Sequence, residues 1–160
     1  MASIDMQHRK GISTMDNPIG SLTADHDFVR QLFSSYRGTG DMRVKQEAAQ
    51  RAMMLVEMHT DLEEQVFYPA VRQIDPGLVQ HSLEEHREAK SLMSQLKGMQ
   101  PNDAQFDRIF LQFASAVEEH LNDEEQKLFP EVQGAGLNMK ELGAKMQTYE
   151  GNKVHEAASH

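Results

Sequence analysis

The chain has 160 residues, 39% hydrophobic and 6% aromatic, with Met 11 and no Trp, which suits one domain with an aliphatic, Met-rich core and leaves no room for a second catalytic domain. Its formal net charge of −9 and pI near 5.3 repel phosphate backbones and anionic lipid, so neither nucleic acid nor a membrane surface is an expected partner. Cys 0 removes disulfides, thiolate metal sites, iron–sulfur clusters and Cys nucleophiles together, leaving His and carboxylate as the available metal ligands.

Residues 1–17 show no periodicity and read as an N-terminal arm without the apolar core of a signal peptide, and no apolar run reaches membrane-spanning length; a cytoplasmic protein is expected. Pro18 suits a first helical turn, and the stripe Leu22, His26, Val29, Phe33, Tyr36 predicts a helix to Arg37, stopped by Gly38-Thr39-Gly40. A second helix is predicted from Asp41 to Ile74, with Ala52, Val56, Val66 and Ala70 inward and Pro69 bending its last turns before Asp75-Pro76-Gly77. A third runs from Leu78 to Lys97, with Val79, Leu83, Ala89, Met93 and Leu96 inward and Gly98 as its cap. The fourth runs from Asp103 to Gln133 behind Phe106, Phe110, Phe113, Val117 and Leu128. A short fifth helix is expected after Asn138-x-x-Glu141, which has the form of a capping box.

Four amphipathic helices joined by short turns predict an all-α, up-down-up-down four-helix bundle over residues 18–136, with a short helix and tail over 137–160. The run His59-Thr60-Asp61-Leu62-Glu63-Glu64-Gln65-Val66-Phe67-Tyr68-Pro69 returns as His120-Leu121-Asn122-Asp123-Glu124-Glu125-Gln126-Lys127-Leu128-Phe129-Pro130, an offset of 61 (59 to 120). Asp25-His26 with Leu32 likewise matches Glu85-His86 with Leu92 at an offset of 60 (26 to 86). The bundle therefore reads as two related hairpins, each carrying one lone His and one His-x-x-x-Glu.

Residues four apart share a helix face, so His59 with Glu63 and His120 with Glu124 can each offer an imidazole and a carboxylate to one site. Both pairs fall on the buried stripes, where an unpaired carboxylate costs several kcal/mol and no Arg or Lys occupies the same inward positions. His26 and His86 lie near the starts of their helices and His59 and His120 toward the ends of theirs, so the predicted topology brings all four to one end. Four imidazoles and two carboxylates suit two non-haem iron ions bridged by the glutamates; manganese and zinc fit the same donors. Glu64, Glu85 and Glu125 stand next to these ligands and could add an oxygen ligand, but their neighbouring positions favour support from behind or a place on the surface. Tyr68 and Phe129, beside the two prolines, read as packing residues, Tyr36 as core, the Met residues at 53, 54, 58 and 93 as core filler, and His8, His81, His155 and His160 as surface.

The series His26, His59-x-x-x-Glu63, His86, His120-x-x-x-Glu124, with the repeated Glu-Glu-Gln flank ending in Pro, resembles the hemerythrin-like, HHE cation-binding family over residues 20–135. The resemblance implies iron on the four histidines, with Glu63 and Glu124 bridging. Oxygen-carrying hemerythrins place two histidines four apart on helix three, whereas Ser82 and Lys90 flank His86 here at that distance. His81, five residues away, lies about 140° off the face of His86. The carriers also use an Asp five after the fourth-helix His, where Glu125 stands, while Glu124 is four after His120.

One metal is thus expected to be short of a histidine and more open to small ligands. Three functions suit such a site: a protein that binds or senses dioxygen or nitric oxide, an enzyme acting on peroxide or on nitric oxide with peroxide, and iron storage or donation. A sensor of this size would need a separate protein partner to carry its output.

Overall fold

The computed structural model describes residues 17–158, with side chains to residue 153. The described residues form helices and the turns between them. Helix α1 (Pro18–Arg37) starts where the Asn17 side chain accepts the Gly20 N–H at 2.9 Å, and ends where the Gly38 N–H reaches the Ser34 carbonyl at 2.9 Å. Asp41 caps α2 (Met42–Leu62) by accepting the Arg43 N–H at 2.9 Å. Asp75 caps α4 (Pro76–Lys97) through Leu78 N–H at 3.0 Å, and Asp103 caps α5 (Ala104–Asp123) through Gln105 N–H at 2.8 Å. Each cap satisfies an orphan donor and contributes about 1 kcal/mol to its helix.

The α2 rod runs on through a π-helical turn, π1 (Glu63–Phe67), into α3 (Tyr68–Val71); the α5 rod does the same through π2 (Glu124–Leu128) into α6 (Phe129–Gly134). The cause lies in the sequence. Pro69 and Pro130 have no N–H to give the carbonyls four residues back, and their rings would collide with those carbonyls in an α-helix. Widening the turn relieves the collision, and the N–H groups of Tyr68 and Phe129 bond to the carbonyls of Glu63 and Glu124, five residues back.

A π turn holds one more residue than an α turn, so it rotates everything after it. Beyond Glu63 the buried face passes to Phe67, Tyr68 and Val71, while Val66 is only partly buried and Ala70 is exposed. The expected inward position Ala70 is corrected by this widening, while Val66 still packs against the core from its edge. Met58 is likewise no core filler, being 40% exposed.

The α1–α2 pair and the α4–α5 pair pack most closely. Their inward faces make two apolar clusters, one around Phe33, Phe110 and Phe113, the other around Leu22, Phe67 and Leu128. Between Leu22 and Val29 on α1, and between Val56 and Leu62 on α2, the apolar stripe is interrupted by His26 and His59. A polar layer therefore crosses the core. The fifth rod, α7 (Met139–Ala158), opens on Asn138, whose side chain accepts the Glu141 N–H at 3.1 Å. It is 20 residues long, not short, and packs on α1, α2 and π1, burying Leu142 and Met146. Burial of each such side chain stabilises by about 1.5–3 kcal/mol. Residues 1–16, most of the expected arm, with His8, lie outside the described residues, as do the side chain of His155 and all of His160. No helix among the described residues is long and apolar enough to cross a membrane.

Candidate metal centre

All six expected site residues, His26, His59, Glu63, His86, His120 and Glu124, are buried in the polar layer. They meet as two imidazole pairs. His26 Nε2 lies 3.1 Å from His59 Nε2, and His86 Nε2 lies 3.0 Å from His120 Nε2, so each hairpin supplies one pair. The two glutamates stand between the pairs. Glu63 Oε1 is 3.4 Å from His59 Nε2, 3.1 Å from His86 Nε2 and 3.5 Å from His120 Nε2. Glu124 Oε1 is 3.3 Å from His26 Nε2 and 3.4 Å from His120 Nε2.

Four further carboxylates set the direction of the four rings. His26 Nδ1 bonds to Glu125 at 2.6 Å, His86 Nδ1 to Glu64 at 2.7 Å, His120 Nδ1 to Glu85 at 2.9 Å and His59 Nδ1 to Asp25 at 3.4 Å. The pattern follows the internal repeat. Asp25 and Glu85 hold the histidine of the next helix in their own hairpin, whereas Glu64 and Glu125 reach the lone histidine of the other hairpin and lock the two together. Lys90 donates to Glu64 at 2.7 Å and Arg30 to Glu125 at 2.9 Å, which keeps both carboxylates charged, at about 2. For Glu64 the bond from His86 leads this shift; for Glu125 burial opposes it and the bonds from His26 and Arg30 prevail.

These outer bonds decide what the centre can hold. A carboxylate only accepts, so each Nδ1 carries its proton toward the outside and each neutral ring turns an Nε2 lone pair inward. Two lone pairs about 3 Å apart repel unless a cation lies between them. The buried acceptors Glu63 Oε2 and Glu124 Oε1 have no hydrogen-bond partner, and two unneutralised carboxylates at this depth cost several kcal/mol each. Protons supply the charge in the chain alone. Burial opposes charging His59, but the charge of Glu63 and the bonds from Asp25 and Glu63 lift it to about 10. Burial likewise opposes His120, which Glu124, Glu63 and Glu85 raise well above its ordinary value. Glu63 is pulled well below its usual range, with His59 chief among the groups that overcome burial, while burial and the neighbouring charge of Glu63 push Glu124 up. A pair of divalent ions would replace these protons, and the donors form two overlapping groups for them: His26, His59, Glu63 and Glu124, and Glu63, His86 and His120.

Tyr68 is the residue that periodicity misplaced. Its hydroxyl donates to Glu124 Oε2 at 2.6 Å and lies 3.2 Å from both Glu63 Oε1 and His86 Nε2. An α-helix would put it five residues and about 140° away from Glu63; the π turn brings it onto the face of the site. Ser82, four residues before His86, is buried beside the Tyr68 hydroxyl. Phe129 occupies the matching place on the other side and stacks on His26, with ring centroids 5.6 Å apart. The two halves therefore share their imidazoles and differ in the hydroxyls beside them, Tyr68 and Ser82 on one side against Phe129 and Leu22 at the matching places. Asp25 was the other omission, although its match to Glu85 in the repeat marked it.

The four imidazoles line a cavity of about 10 Å³ together with Val29, Val56, Ala89 and Val117, and with Thr60, Glu85 and Leu121. That is about the space of one water. A larger cavity of about 540 Å³, lined in part by Met54, Leu55, Met58 and Met93, also borders His59 and Thr60.

Comparison with known proteins bears on the family. The profile of the hemerythrin HHE cation binding domain matches residues 17–132. A protein of Nostoc sp. (strain PCC 7120) named DNA nickase is 31% identical over 112 residues, 69% of this chain and 32% of its own length. The chain thus spans about a third of that relative. No solved structure matches.

Proposed function

The chain belongs to the hemerythrin HHE cation-binding family, and we propose that it holds two non-haem iron ions and uses them to bind or sense a small diatomic ligand, dioxygen or nitric oxide. His26 and His59 would hold one ion, His86 and His120 the other, and Glu63 and Glu124 both, in an up-down-up-down bundle. Manganese or zinc would satisfy the same donors. The observation that carries the reading is the facing of four inward Nε2 atoms across two buried carboxylates. An iron pair supplies a redox-active centre with positions open to a small ligand.

The chain's own residues select that ligand. Val29, Val56, Ala89 and Val117 help to line a mostly apolar space of about 10 Å³ beside the imidazoles, about that of one water, so only a very small ligand is admitted. An organic substrate does not fit there. A sensing role would pass its signal to a protein partner. Nucleic acid stays outside the proposal, because a net charge of −9 opposes a phosphate backbone; nicking is the name of a relative of which this chain covers about a third.

A second reading, an enzyme acting on peroxide or on nitric oxide with peroxide, is favoured by Tyr68, a buried hydroxyl able to hold or pass a proton beside Glu124. Metal analysis and an absorption spectrum of protein from iron-replete cells test the centre. Near two irons per chain is expected, and fewer than one, unchanged by His59→Ala and His120→Ala, overturns it. Adding nitric oxide then separates the readings from peroxide: a saturable spectral change without turnover marks the binder, and rapid oxygen evolution from peroxide marks the enzyme.

A further inference from the structure

A third group of donors lies outside the buried layer. His81 Nε2 is 3.4 Å from Glu85 Oε2 and 3.3 Å from Asp123 Oδ2, and ligand atoms of all three lie within 4.8 Å of one another. His81 is half exposed, while Glu85 and Asp123 are mostly covered. We propose that His81, Glu85 and Asp123 bind one divalent transition-metal ion at the surface and stage such ions on their way to the buried centre. The surface site stands without the iron reading; its staging role rests on that reading.

The charge balance around Glu85 motivates the assignment. Glu64 and Glu125, which hold His86 and His26, are each backed by a permanent cation, Lys90 or Arg30. Glu85 holds His120 and faces instead His81 and, with ligand atoms within 4.8 Å, a second carboxylate, Asp123. Two carboxylates this close repel unless a cation lies between them. Lys127 lies 3.5 Å from Asp123 Oδ1, on the oxygen turned away from His81, so it leaves Oδ2 available. One imidazole and two carboxylates suit ferrous iron, manganese or zinc.

The cluster also breaks the internal repeat. At the positions matching His81 and Asp123 the first hairpin has Ser21 and Leu62, both buried. There α7 packs over α1, α2 and π1, and apolar or small residues are what a covered surface requires. Glu85 then links the outer cluster to the inner one, Oε2 facing His81 and Oε1 accepting from His120 Nδ1 at 2.9 Å. A single carboxylate thus touches both places an ion would stop.

Full-length protein with its buried centre already filled with iron is titrated with Mn2+, followed by calorimetry and electron paramagnetic resonance. One further Mn2+ per chain is expected. His81→Ala and Asp123→Asn each weaken it by at least about tenfold, the loss that even an indirect partner of a metal produces, and leave the two inner ions in place. No further Mn2+, or Mn2+ bound equally by both variants, overturns the site. The His59→Ala, His120→Ala double variant still binds the outer Mn2+, so failure of the buried centre is distinguished from failure of this one. Stopped-flow uptake of ferrous iron by metal-free protein tests staging: His81→Ala reaches the same final iron content several-fold more slowly, and an unchanged rate overturns the staging role.

Discussion

Tyr68 gives one half of the centre a hydroxyl that the other lacks, since its counterpart in the repeat is Phe129. Tyr68→Phe removes the hydrogen bond to Glu124 and leaves a buried acceptor, which costs about 1–3 kcal/mol. Two metals per chain are expected to remain, with the rate of reaction with peroxide lowered at least about tenfold, as for loss of a general acid; metal analysis beside a peroxide assay checks both. Ala89 works by being small. It is 4% exposed and walls the cavity of about 10 Å³ above the imidazoles. Ala89→Leu adds three carbons to a space for one water, so it fills the ligand position, at an overpacking cost of about 1–3 kcal/mol. Nitric oxide titration of the iron-loaded variant is expected to show binding largely abolished at full iron content.

The rods α2–π1–α3 and α5–π2–α6 show how one proline decides a register. Periodicity at 3.6 residues per turn places Ala52, Val56, His59 and Glu63 inward correctly, then fails at Ala70, because the wider turn forced by Pro69 rotates the residues beyond it. Pro69 was legible as a disturbance; the direction of its effect was not, since bending and widening both relieve a collision with the carbonyl. Deleting the exposed Gln65 takes out the extra residue and returns an α turn with Tyr68 still on the site face, but restores that collision. The deletion is expected to destabilise by about 3 kcal/mol, and adding Pro69→Ala to recover most of it, as read from urea denaturation of the two variants.

Across the whole molecule, the buried charges must be balanced by partners drawn from both hairpins. Glu64 and Glu125 carry this balance between them, each bonded to a histidine of the opposite hairpin and held at about 2. A folded value below the unfolded one of 4.5 means that their stabilisation is complete above that pH and is lost as pH falls toward 2. Acid unfolding of the metal-free chain is therefore expected to steepen between pH 4.5 and 2, and Glu64→Gln with Glu125→Gln to flatten that limb in circular dichroism. With metal bound, the same interval should release it, because protons then compete for the Nε2 atoms.

The sequence by itself determined the helical class, the duplicated half-sites and the six inward donors, because helical spacing records which face each residue occupies and a buried carboxylate demands compensation. It also determined that the two hairpins supply the layer in matched pairs. Only the tertiary structure decided that Tyr68 reaches the centre, that Asp25, Glu64, Glu85 and Glu125 turn the four imidazoles inward, and that α7 covers one hairpin and leaves His81 bare on the other. Those are contacts between residues far apart in the chain, and no local period encodes which neighbour a side chain will meet.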